Sequence, residues 1–415
     1  MMLLRPVLEP VLRPVLGGNL IGGPSLWLNF LSGTLDPRIT AAGGVNGTRV
    51  NSAGLIEAAT CPRFDYDPVT LAARGVLIEE QRTNELLYGV TPVYPGFDWT
   101  TDGLATLTST PGVLGPSGAP MGFLAKAGGG TYVYQGGHST TDGVAKTYSI
   151  FFRAGDSANP ILSFGFYQAA AATVASASVN TATGAITAST GTASVVAWGG
   201  GLFQLLLTGT PTITATTAYV DAVLGGGVTD GTGHYIGCAS LAQGPFPTSY
   251  IPTGAAAVTR TPDSLTMTGT DFSDWWNQAE GTIVVKFDCF GVKPDDGFIF
   301  SATDASEAEQ IRLLVYAGVV YLQVSAGGVN VVNMNLGAID TGSHTLAVAY
   351  KANDFAACLD GGAVATDTSG AVPAVDRAGF GRYAASNFGH LNGHLQVFGY
   401  WPRRIPDFQL QAQTN

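Results

Sequence analysis

Acidic, imidazole and indole side chains fall into a few groupings whose types and spacing could do chemistry. Asp304, Glu307 and Glu309 come nearest to a carboxylate set. Hydrolysis of a glycosidic bond needs two carboxyl groups facing each other across the sugar, roughly 5–9.5 Å apart. These three follow Phe300-Ser301 in a predicted turn. They lack the Glu-x-Asp-x-x-Glu pattern that carries such carboxylates along one strand, and no aromatic platform surrounds them. They read as a solvated turn. His390 and His394 are four apart, a metal-ligand spacing on a helix. Their surroundings read as turn and strand, where four residues span about 13 Å, so both are read as structural histidines. Asp295-Asp296-Gly297 and Asp221 offer oxygens of the kind calcium takes, and turn chemistry accounts equally well for the Asp-Gly pair. Trp99, Trp198, Trp275, Trp276 and Trp401 could stack on a sugar ring. Trp275 and Trp276 are the residues singled out as glycan contacts. Filling a sandwich core is the competing use of tryptophan, and on a strand one of two consecutive residues points inward and the other outward. No Ser-His-Asp grouping, phosphate loop or nucleotide fingerprint is present. The chain reads as non-enzymatic, with no cofactor and no metal.

The elements that must carry these residues are strands. Charged residues make up 12% of the 415 positions, against roughly 25% in an average globular chain, and glycine occurs 56 times. Abundant Thr, Ala, Val and Ser make poor helices and many short strands with tight turns. So little surface charge points to surface buried against neighbouring chains, as in a homo-oligomer or an assembly. The net charge of −11 argues against nucleic acid as a partner, whose footprint is a basic patch, and against an anionic membrane surface. Cys61, Cys238, Cys289 and Cys358 lie far apart, without the paired spacing of zinc or thioredoxin-type sites; they read as buried free thiols. No apolar span is long enough for a membrane helix. Pro6, Pro10, Pro14 and Glu9 break what would be the apolar part of a secretory signal.

Residues 5–16 repeat Arg-Pro-Val-Leu, Glu-Pro-Val-Leu, Arg-Pro-Val-Leu. Proline at period four forbids a regular helix and favours an extended chain of about 3.1 Å per residue. Pro6, Leu8, Pro10, Leu12, Pro14 and Leu16 are read as a docking arm for another subunit, within an arm region 1–25. From 86 to 255 the chain reads as one sandwich, with strands at Thr147–Phe152, Ile161–Phe166, Thr173–Val179, Leu202–Leu207 and Thr217–Leu224. From 256 to 415 it reads as a second, with strands at Glu280–Phe287, Phe298–Ser301, Ile311–Tyr316, Val319–Val324, Asn330–Met334, His344–Tyr350 and Leu395–Tyr400. Asp360-Gly361-Gly362 marks a hairpin. The expected fold is all-β: an extended N-terminal arm followed by two antiparallel β-sandwich, or jelly-roll, domains.

Between arm and first sandwich, in a region 26–85, lies the most specific stretch. Arg63, Phe64, Asp65, Tyr66 and Asp67 alternate charge and ring, as a short strand would. Val76, Leu77 and Ile78 form a second strand, and Glu79, Glu80, Gln81, Arg82, Thr83 and Asn84 follow without an apolar residue. Leu35-Asp36-Pro37-Arg38-Ile39-Thr40, Pro62–Thr70 and Gly75–Asn84 together resemble a block of tail-fibre and other structural virion proteins of tailed bacteriophages. Thr248–Thr253 and Thr259-Arg260-Thr261-Pro262-Asp263 are similar to the run that closes the first sandwich in that family. Two departures stand out: Ala41–Gly47 replaces an aromatic and Arg-Ala-Ser run, and Leu202-Phe203-Gln204 replaces Trp-Tyr-Arg. The first sandwich is similar to carbohydrate-binding modules, and the second resembles concanavalin-A-like lectin and laminin-G domains. The resemblance implies a virion protein made in the host cytoplasm: a homotrimeric tail-fibre or particle-attached fibre subunit. It implies other virion proteins as partners of the arm, and host-surface glycan as a partner of the sandwiches. A glycan-binding receptor-binding protein and a polysaccharide depolymerase are the alternatives. Arg63, Asp65, Asp67, Glu79, Glu80 and Arg82 are expected to form an assembly joint between leader and body.

Overall fold

The structure is a computed structural model that describes residues 23–88, 99–101, 105–126, 132–169, 172–225 and 230–415. The docking arm from Pro6 to Leu16 lies outside the described residues. The rest is two antiparallel β-sandwiches, as the strand-rich composition requires.

One sandwich pairs two six-stranded sheets. The first sheet runs Thr192–Ala197, Leu202–Gly209, Lys146–Arg153, Gly233–Gln243, Pro120–Lys126, Ala105–Leu114. The second runs Ile186–Thr190, Ala172–Asn180, Ile161–Gln168, Ala215–Leu224, Tyr132–Thr140, Thr100–Thr101. Alternate residues of each strand point inward. Phe152, Phe164, Phe166, Leu205, Val220 and Ile236 meet there in a closed core.

The other sandwich is assembled from both ends of the chain. Its strands Glu280–Phe287, His344–Lys351 and Gly393–Trp401 lie side by side, and Leu26–Asn29 pairs along Gly393–Trp401. Ala73–Ile78 pairs with Gly393–Leu395, and Arg63–Tyr66 pairs in turn with Ala73–Ile78. In the opposite sheet Thr40–Gly43 pairs with Asp263–Thr268. The region 26–85, read from sequence as a joint of its own, therefore interleaves with the second sandwich. The reason is physical: strands of four to six residues cannot bury their faces alone and need a sheet to join. Val76, Leu77 and Ile78 are all fully buried, which suits a strand covered on both sides.

It follows that residues 99–243 form an inserted sandwich. The strand leading into it, Arg82–Asn84, pairs antiparallel with the strand leading out, Val258–Arg260. We call this two-stranded connection the neck.

Candidate functional site

The neck gathers the sequence blocks that stood out individually. Arg63 is fully buried and uses all five of its N–H donors. Nε donates to Asp263 Oδ1 at 3.1 Å, and Nη1 to the Thr48 carbonyl at 2.8 Å and Ser249 Oγ at 2.8 Å. Nη2 donates to Glu79 Oε2 at 2.7 Å and to Asp263 Oδ2. Glu79 also accepts from the Ser249 amide and hydroxyl, each at 2.6 Å, and pairs with Arg260 Nη1 at 2.9 Å. Arg260 Nη2 donates to the Glu80 carbonyl at 2.6 Å. Two guanidinium groups thus face two carboxylates in a dry interior. Burial disfavours the charge on Glu79, but Arg260 and Arg63 outweigh it and hold the carboxyl down at about 2. Burial likewise works against Arg63, and Glu79 and Asp263 more than compensate, so its proton is held more firmly than usual. Glycine makes room for this packing: a Cβ at Gly43, where φ is +85°, would sit 1.8 Å from the Pro262 carbonyl oxygen.

The other expected joint residues separate. Glu80 pairs with Arg82 Nη2 and with Lys293 Nζ, both at 2.7 Å, and Arg82 lies over the Phe246 ring at 5.3 Å. Asp65 leaves the neck and accepts from His394 Nε2 at 3.0 Å, while Asp288 takes His394 Nδ1 at 2.9 Å. Burial opposes charge on the ring, but Asp288 and Asp65 overcome it and raise the His394 pKa to about 9. Asp67 caps its own turn, accepting from the Val69 and Thr70 amides at 3.0 and 2.8 Å.

Trp275 and Trp276 are corrected by the structure. They are 2% and 8% exposed and pack against Phe272, Tyr350 and Tyr400. They follow the short helix Thr270–Ser273 rather than lying on a strand, so both turn inward. Neither offers a face to a sugar. Asp304 accepts from the Ser306 amide and hydroxyl, which is turn chemistry, while Glu309 ties its segment to two others by accepting from the Gly327 and Ala374 amides. Among the described residues no three His, Cys, Asp or Glu side chains gather in a way that could hold a metal.

Beside the neck a cleft of about 560 Å³ opens between the two sandwiches. Its floor is an interdomain apolar cluster: Ile56, from the hairpin formed by Thr48–Val50 and Ile56–Ala58, meets Phe151, Met121 and Tyr250. One wall is the outward face of the strand Leu202–Gly209 with its neighbour. Trp198 stands there, edge-on to Phe151 at 4.8 Å, with Nε1 donating to Gln204 Oε1 at 3.2 Å. Arg49, Asp67 and Arg74 form the polar rim opposite. Clefts at domain boundaries with an aromatic wall and a few polar groups are the usual form of small-molecule sites. Trp198 was visible in the sequence as one indole among several. Nothing there showed that Arg49 and Arg74 would line the same cleft.

The sequence matches no known family model and no curated protein. Among solved structures, the chain is similar to the CBM40 of Ruminococcus gnavus IT-sialidase, at 17% identity and a TM-score of 0.30, over 33% of this chain and 84% of that one. It is similar to the NanB sialidase from Streptococcus pneumoniae at 12% identity and a TM-score of 0.31, spanning 35% of this chain but only 26% of NanB. Mouse laminin alpha1 domains LG4-5 align at 12% identity and a TM-score of 0.23, over 65% of this chain and 84% of that one. At these identities the likeness is one of β-sandwich architecture alone.

Proposed function

We propose that this chain is a non-enzymatic structural component of a tailed-phage particle, a tail-fibre or other particle-attached fibre subunit, that engages host-surface glycan in the cleft between its sandwiches. The cleft carries the glycan reading. It has the size of a saccharide site, an indole wall, and hydrogen-bonding groups on both sides, and its two walls are held in register by the neck. The phage reading rests on the sequence blocks at 35–40, 62–70, 75–84, 248–253 and 259–263. That they include the neck's charged residues supports the view that they specify the mounting of one sandwich on the other. Assembly as a homotrimer and docking of the arm to other virion proteins belong to the same proposal, as does the location in the virion.

The test is a host-polysaccharide glycan array probed with the full chain and with Trp198→Ala. Loss of a buried-edge aromatic contact costs about 2 kcal/mol, or roughly thirtyfold in affinity. Binding to no host polysaccharide, or equal binding by the variant, overturns the cleft. Normal incorporation of Arg82→Ala into particles counts against the neck as an assembly element.

A further inference from the structure

The outward face of the inserted sandwich's second sheet carries a feature that the cleft does not use. On Ala215–Leu224, Ala218, Val220 and Ala222 enter the core, so Tyr219 and Asp221 point away from it. Asp221 is nevertheless only 6% exposed. It hydrogen-bonds with the Tyr167 side chain and the Gly165 backbone, yet its Oδ1 has no hydrogen-bond partner. A buried carboxylate oxygen without a donor is costly. It lines a cavity of about 280 Å³ together with Ser163, Ser176, Ser178 and Thr190.

The surroundings say what kind of donor fits. Ser163 and Ser178 hydrogen-bond each other at 2.8 Å, and a hydroxyl pair of this kind retains further capacity to accept and donate. Tyr167 leans along its own strand over Gly165 and stacks on Tyr219 with ring centroids 4.7 Å apart. That pose requires glycine at 165, where a Cβ would fall 2.2 Å from the Tyr167 ring. Tyr134 and Tyr132 continue the aromatic row, at 6.1 Å from Tyr219 and 5.5 Å from each other. Among the described residues no lysine, arginine or histidine lines the cavity.

From this geometry we infer a second binding site, for a neutral saccharide, in which a sugar hydroxyl donates to Oδ1 of Asp221 and neighbouring rings lie along the tyrosine row. The serine hydroxyls supply both donors and acceptors, as a polyol needs. Burial raises the Asp221 carboxyl to about 7, and above that pH an acidic sugar would meet a carboxylate with no cation among the described lining residues to offset it. The site is separate from the cleft and stands whether or not the cleft takes a glycan.

The experiment is calorimetric titration of the full chain with neutral tetrasaccharides of glucose, galactose and mannose, and with sialyllactose as the acidic arm. At least one neutral tetrasaccharide binds, and sialyllactose does not compete for it. Asp221→Asn weakens that binding tenfold or more, in keeping with loss of a hydrogen bond to a charged acceptor. The melting temperature of Asp221→Asn stays level or rises, since the substitution removes a buried, incompletely paired charge. Trp198→Ala leaves the binding unchanged. The inference falls if no neutral tetrasaccharide binds, if sialyllactose displaces the neutral sugar, if Asp221→Asn binds within twofold of the native chain, or if Trp198→Ala abolishes the binding. Trp198-dependent binding of sialyllactose with no neutral tetrasaccharide bound would remove this site and leave the cleft standing.

Discussion

Replacing Glu79 with Gln tests whether the neck is held by charge or merely by shape. The side chain keeps its outline and loses its charge. Arg63 and Arg260 then face Asp263 alone, leaving one positive charge uncompensated where the native side chains are fully buried. Breaking a buried ion pair from one side costs about 3–5 kcal/mol. The acidity of Glu79 gives a second route to the magnitude. Its carboxyl is held at about 2, against 4.5 for the ordinary group, and at 1.36 kcal/mol per pH unit this is about 3 kcal/mol. The sign follows from the direction: the stabilisation is complete above the unfolded value of 4.5 and is lost as pH falls through about 2. At pH 7, equilibrium urea unfolding followed by tryptophan fluorescence should shift its midpoint down by about 1 M or more. Adding Arg260→Gln restores neutrality, so the double variant should lose at least about 1 kcal/mol less than the sum of the singles. A Glu79→Gln variant within about 0.5 kcal/mol of the native chain would refute the reasoning, because the charges would then have to be solvated.

Two further outcomes follow from groups near the neck. His394 has its pKa raised to about 9 from 6.5, so its contribution is complete below 6.5 and disappears as pH rises through about 9, an effect of about 3 kcal/mol. Melting temperatures recorded from pH 6 to 10 should fall across the alkaline limb, and His394→Gln should flatten that limb; an unchanged limb in the variant counts against the Asp65–His394–Asp288 bridge. At Gly244, φ is +133° and a Cβ would lie 1.6 Å from Arg82 Nη1. Gly244→Ala should therefore lower the melting temperature well beyond Gly199→Ala, where φ is +77° but nothing lies within 4 Å, a substitution costing only about 1–2 kcal/mol of backbone strain. Equal shifts in scanning fluorimetry would show that Arg82 is not packed against that position.

Strand positions were readable because local pattern decides them. Glu280–Phe287 is predicted and observed with the same bounds, and Ile161–Phe166 lies within the observed Ile161–Gln168. What periodicity does not carry is which strands meet. Leu26 pairs with Tyr400 and Arg63 with Asp263, contacts between distant stretches that leave no local trace. The charged run after Ile78 reads as a joint without showing how it is enclosed, since nothing local distinguishes an exposed Glu79 from one held between Arg63 and Arg260. Core packing is the use the sequence favours for Trp275 and Trp276, but the strand rule sends one residue of the pair outward, and the short helix before them removes that rule. Asp221 was weighed only as a calcium ligand; its lone oxygen became visible only once Tyr167 and Gly165 were beside it.

The antiparallel neck also determines how the molecule bears force. Asn84 stands opposite Val258 on the side of the inserted sandwich, and Arg82 opposite Arg260 on the side of the body. A pull on the insert runs along both strands at once, like two parallel cables, and does not slide one past the other. Each covalent strand takes a share of the tension, and both are moored at the same place, where Arg260 and the residues just before Arg82 enter the buried ion cluster. To give way there, the anchorage must drag guanidinium and carboxylate groups apart inside a dry interior. An inserted sandwich held by two strands and such a mooring meets a pull first at buried charge pairs, and not at the edges of its own sheets.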